Sequence, residues 1–207
     1  MKWILKAKTT SGKFLISWAG STISGLDLPN ISLYMDQVTT FMEEQLSATK
    51  RHKDDKILTK TMINNYAKNK LLPSPDKKRY SKEHLLMLLF IYYFKNILSI
   101  SDIQTLLGPI TDKYFQSGTD HDMTYVYNEI FSSIEKQEDY LQKDLLRRYR
   151  FAESTFEDAA PEDRDFLRQF SFICLLSVDV YIKKMLVERI IDQMDISAAP
   201  EKKRKKD

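Results

Sequence analysis

The chain has 207 residues, one cysteine and a formal net charge of only +3. That length suits one or two domains with a buried core, and a lone cysteine excludes an intramolecular disulfide framework and fits a reducing interior. The small net charge hides a division, because residues 50–82 carry eleven Lys/Arg against three Asp/Glu while residues 83–200 carry twelve against twenty. A basic segment on an otherwise acidic chain is what a phosphate-binding surface needs, although a charge run can equally be a solvated face.

Residues 1–30 read as an N-terminal arm. Trp3-Ile4-Leu5 and Phe14-Leu15-Ile16 flank Ser11-Gly12 in a hairpin-like order, and Gly20, Gly25 and Pro29 break any long helix. The basic start lacks the apolar length of a signal peptide. The most apolar later run, Phe170 to Ile182, is too short and, with Asp179, too charged to span a bilayer. A cytoplasmic protein without membrane contact is expected.

Asp36 to Leu46 reads as a helix with Met35, Val38, Phe41, Met42 and Leu46 on one stripe. A polar connector, SATKRHKDDK, follows. Thr59 is suited to cap the next helix, Lys60 to Asn69. Met62, Ile63 and Tyr66 fall inward; Lys60, Thr61, Asn64, Asn65 and Lys68 are left outside. Asparagine is a poor helix former, so two in one short helix ask for a reason. Their amides could pair with an adenine edge in a major groove, or they could be ordinary surface polarity or local backbone bonding.

Leu71-Leu72 docks inward, and Pro73 and Pro75 stiffen the exit. Asp76 to Tyr80 forms a short exposed loop in which Lys77, Lys78 and Arg79 are consecutive cations, placed to lie along phosphates. Ser81 caps a helix that is apolar nearly all round through Leu85, Met87, Leu88, Leu89, Ile91, Tyr92 and Phe94, which makes it central and buried. Ser99 or Ser101 starts another short helix with Ile103, Leu106 and Leu107 inward. Gly108-Pro109 is expected to stop it.

From Asp122 to Arg150 the spacing of Val126, Ile130, Ile134, Leu141, Leu145 and Tyr149 is helical. Pro161 opens a further helix, and Phe166 to Met194 carries apolar residues on more than one face. It needs more cover than one neighbouring helix supplies, so a dimerisation or effector region is expected. Cys174, within FSFICLLSV, reads as a buried, inert thiol. The charged tail from Glu201 reads as disordered.

The blocks LTKTMINNYAKNKLLP, RYSKEHLLMLLFI and LSISDIQTLL, in this order, resemble the DNA-binding domain of MerR-type regulators. They look closer still to a bacterial family described as a domain of unknown function that shares this helix-turn-helix core. The resemblance covers roughly residues 33–110, with LYMDQV at its front. It implies a winged helix-turn-helix domain over 31–112 in a mainly all-α chain; the helical dimerisation or effector region read from the apolar spacing then spans 113–198, and the disordered basic tail 199–207. Thr59 takes the place of the family's cap and Ile63 that of its buried leucine. Leu85, Leu88 and Ile91 match the core of the following helix. The resemblance implies that Tyr66 reaches a phosphate, that Lys78 stands for a wing arginine and that Tyr80 matches the tyrosine after it. Asn64 and Asn65 depart from the recognition helix's usual arginine and tyrosine, and Lys70 stands where a glycine is usual. The effector cysteines of mercury- and copper-type regulators are absent.

No enzyme chemistry stands out. His52, His84 and His121 are scattered, and five glycines leave no phosphate-cradling loop. Asp120-His121-Asp122 reads as a polar helix start, and Glu162-Asp163 complements a helix dipole. No cofactor and no metal are expected. The expectation is a homodimeric regulator of double-stranded DNA that reads a palindromic site with helix 60–68 and grips phosphates with the 76–80 loop. The alternative is a protein-interaction module on the same core. A small-molecule effector would be enclosed by the aromatic-rich C-terminal half (Tyr125, Tyr127, Phe131, Phe166, Phe170, Phe172, Tyr181), where core packing is the commoner role.

Overall fold

A computed structural model describes residues 28–198. The expected N-terminal hairpin and basic tail lie outside them. The chain is mainly α-helical, as its periodicity implies. Strand β1 (Leu33–Tyr34) leads into helix α1 (Met35–Leu46), followed by α2 (Lys60–Lys68), β2 (Arg79–Tyr80), α3 (Lys82–Phe94), α4 (Ile100–Tyr114), α5 (Met123–Glu135), α6 (Glu138–Glu153) and α7 (Pro161–Ala198). The two strands pair antiparallel, Leu33 opposite Tyr80 and Tyr34 opposite Arg79.

Helix α3 is the axle. Its residues 84–92 are all buried, nine in succession, which requires neighbours on every side. Val38, Met42 and Leu46 of α1, Ile63 and Tyr66 of α2, and Ile103 and Leu107 of α4 share its core. Met123, Tyr127 and Phe131 of α5 join the same cluster, with the Phe131 ring stacked 5.6 Å from that of Phe90. The boundary expected at residue 112 therefore falls inside α4, and the core continues beyond it into α5.

Two expected interruptions move. Helix α4 begins at Ser99, whose hydroxyl accepts from the Asp102 amide at 3.2 Å while Asp102 accepts from the Ser99 amide at 3.0 Å. It then runs through Gly108-Pro109 to Tyr114 instead of stopping there. A proline disfavours helix in the preceding residue partly through that residue's Cβ, which glycine lacks. Thr111 also returns a bond from its hydroxyl to the Leu107 carbonyl at 2.7 Å just past the gap. Conversely, the helical stretch expected from Asp122 to Arg150 is broken at Lys136-Gln137 into α5 and α6. The polar run Glu135 to Asp139 has no apolar side to bury there, so the chain turns.

Helix α7 packs against α6 and α4. On α6, Tyr149 meets Phe172 edge-on at 5.6 Å, and Arg148 donates to Asp179 at 3.1 Å. Near the other end Ile191 is 3% exposed in the main core. Cys174, expected to be buried, is exposed, because it lies on a face of α7 that neither neighbour covers. Among the described residues no helix is long and apolar enough to cross a membrane.

Candidate nucleic-acid interface

Helix α2 starts as its sequence requires: the Thr59 hydroxyl accepts from the Met62 amide at 3.2 Å, satisfying one orphan N–H of the first turn. Ile63 and Tyr66 are buried, and Lys60, Thr61, Asn64, Asn65 and Lys68 are exposed. Neither Asn64 nor Asn65 engages its side-chain amide with any described residue; the Asn65 main-chain carbonyl accepts from the Asn69 main-chain amide at 2.9 Å and from the Asn69 side chain at 2.8 Å. Local backbone bonding therefore does not account for the pair. Lys60 is ion-paired with Asp36.

The helix ends in a Schellman motif. The Leu71 amide donates to Tyr66 O at 2.9 Å and the Lys70 amide to Ala67 O at 3.1 Å. This closure needs a left-handed residue, usually glycine, and Lys70 fills it at φ 56°. The Gln104 side chain of α4 donates to the Asn69 carbonyl and ties the motif down.

The basic loop is a tight turn. The Arg79 amide donates to Asp76 O at 2.7 Å, and the central residues Lys77 and Lys78 have φ of 46° and 64°. Two positive φ values in a four-residue turn are the signature of type I′, which asparagine and glycine adopt most easily. Lysine pays a conformational penalty of roughly 1 kcal/mol or more at each such position. Residues 76–79 are exposed. The Arg79 guanidinium lies 5.2 Å from the Tyr34 ring centroid and donates to the Tyr34 hydroxyl at 3.2 and 3.3 Å. Tyr34 and Asp36 thus bring Arg79 and Lys60 to the same end of α1, although nineteen positions separate the two cations in sequence.

Tyr66 and Tyr80 are exposed by only 6% and 4%, so their rings belong to the core beneath this surface and burial raises both phenol pKa values. Beside them His84 of α3 is 2% exposed. Its Nδ1 accepts from the Ser81 amide at 3.0 Å, its ring meets Phe115 edge-on at 4.8 Å, and its buried Nε2 bonds no described residue. Burial lowers its pKa below the ordinary 6.5, against a weaker opposite pull from the nearby Ser74 and Pro73 carbonyls. His84 thus packs between Tyr80 and Phe115, its Nδ1 held by Ser81.

The candidate residues accordingly separate into an exposed set (Lys60, Thr61, Asn64, Asn65, Lys68, Lys77, Lys78, Arg79) and two buried tyrosines. The sequence marks Lys70 only as a lysine in a helix-stop position that glycine usually takes, and nothing in it singles out Tyr34 or Asp36 as partners of Arg79 and Lys60.

A family described as a domain of unknown function (DUF1836) matches residues 23–130, which hold this surface and the core under it. The chain belongs to the DUF1836 family. No curated protein and no solved structure matches it. The aromatics considered for an effector pocket do not surround one cavity: Tyr127 and Phe131 are core residues of this DUF1836 chain, whereas Phe166, Phe170 and Tyr181 are exposed on α7.

Proposed function

We propose that this chain is a DNA-binding transcriptional regulator, a winged helix-turn-helix protein similar to the MerR type, acting in the cytoplasm as a homodimer on a palindromic site. Helix α2 enters the major groove, where the exposed amides of Asn64 and Asn65, bonded to no described residue, pair with base edges. The turn at Lys77-Lys78 and the motif at Lys70 lie against phosphates. One observation carries this reading: lysine occupies three left-handed positions, 70, 77 and 78, where glycine would be relaxed and uncharged. A charge kept at a conformational penalty has use as a charge, and a polyanion is the partner that uses several.

The test is fluorescence anisotropy of labelled duplex from upstream of the protein's own gene, against random duplex, titrated with salt. Salt-sensitive binding that prefers the upstream DNA is the expected result. No binding at low salt overturns the reading. It would favour a protein-interaction module on the same core, which the exposed apolar length of α7 also suits.

A further inference from the structure

The side of α1 turned away from the core carries a groove of about 400 Å³. Val38, Met42 and Leu46 point into the core. Leu33 and Phe41 are the less exposed of the residues lining the groove, Pro29 joins them, and Asp36, Thr40 and Glu44 line it from the solvent side. The acids differ in what they hold. Asp36 is paired with Lys60 and the neighbouring Glu43 with Lys50, whereas Glu44 pairs with no described residue. Residues 28–49 contain these three acids and no lysine or arginine, and residues 1–27 contain Lys2, Lys6, Lys8 and Lys13 against Asp27. A basic arm with apolar blocks thus leads straight into an acidic helix, and it joins the described chain at Leu28, next to Pro29 of the groove.

We infer that the groove is the docking site of the chain's own N-terminal arm, through residues 13–18 (KFLISW). Phe14, Ile16 and Trp18, which an extended segment sets on one side, lie against Leu33 and Phe41, and the Lys13 ammonium meets Glu44. Size decides between occupants. A specific contact with a separate protein buries roughly 1,000 Å² or more in total, which a groove with three apolar lining residues does not offer. A tethered segment needs less. The eleven steps from Trp18 to Pro29 span up to roughly 36–40 Å, and α1 from Asp36 to Glu44 is about 12 Å long, so the arm reaches the whole groove. A tether this short holds the arm at a local concentration on the order of 1 mM, enough to fill a site too weak to keep a free partner. Charge agrees, because a second copy's α1 would meet this one acid to acid.

Trp3 and Trp18 are the only tryptophans of the chain, so the emission of the full chain reports the arm without an added dye. With Trp3→Phe, Trp18 should emit to the blue of its emission in urea and be quenched by acrylamide several-fold less steeply. Glu44→Lys should cut the docked-to-free ratio roughly three- to ten-fold, as expected when an exposed pair becomes a repulsion, and Lys13→Glu added to it should restore docking. A nitroxide attached through Thr40→Cys, with Cys174→Ser, should quench Trp18 equally at every protein concentration; one attached through Lys143→Cys on α6 should not quench it. Circular dichroism should stay unchanged, since Thr40, Glu44, Lys143 and Cys174 are all exposed. A Trp18 quenched as readily in the folded chain as in urea, shielding unmoved by Glu44→Lys, or equal quenching from both labels overturns the inference. Quenching that grows with protein concentration also overturns it and gives the groove to the arm of a second copy. None of these readouts uses DNA, so the inference stands or falls separately from the function proposed above.

Discussion

Replacing Lys77 with asparagine and Lys78 with glycine should make the protein more stable and a poorer DNA binder. Both lysines hold positive φ in the 76–79 turn, at 46° and 64°. Each left-handed lysine costs roughly 1 kcal/mol or more, and glycine relieves this while asparagine relieves part of it. Glycine returns about 0.4–1 kcal/mol to the unfolded chain as entropy. The net gain is therefore about 1 kcal/mol, or roughly 2–4 °C in Tm for a chain of this length. Urea denaturation at neutral pH reads the first effect. The second is read from the slope of log affinity against log salt, which loses about 0.9 per phosphate contact, or about 1.8 for the pair. Loss of stability would refute the strained-turn argument. An unchanged slope with stability gained would refute the phosphate role and leave the lysines without a purpose.

Asn64→Ala should weaken preference at one base position by about 1–3 kcal/mol and barely alter binding to random duplex, which competition with single-position operator variants would read; equal loss on both DNAs sinks the base-reading role. Thr59→Ala removes the acceptor of the Met62 amide and should destabilise by about 1 kcal/mol in chemical denaturation. His84 titrates below its ordinary value of 6.5 because it is buried, so the unfolded chain binds the proton more readily. Its contribution is complete above that ordinary value and is lost as pH falls below it. Stability measured from pH 7.5 to 5 should decline across that window, and His84→Gln should flatten the decline. Lys70→Gly should raise stability by a few tenths of a kcal/mol through the Schellman closure and lower the salt slope by about 0.9.

Much of the architecture follows from local physical chemistry. The apolar stripe of α1, the cap at Thr59, the all-round burial of α3 and the start of α7 at Pro161 are set by side-chain periodicity and capping, which act within a turn or two of chain and so can be read along it. The exposed side of α2 is legible for the same reason, since once Ile63 and Tyr66 point inward Asn64 and Asn65 cannot. Tertiary structure decided the rest. Whether Gly108-Pro109 ends a helix depends on what α4 packs against, and local propensity alone predicted a stop. Tyr66 and Tyr80 are amphipathic residues whose burial is fixed only when α3 arrives beneath them. Lys60 and Arg79 are drawn to one end of α1 because Asp36 and Tyr34, far away in sequence, stand there. Cys174 sits in an apolar run that a sequence reader fills with core. It lies in the open because α6 and α4 cover two other faces of α7, and only the placement of whole helices reveals a face left over.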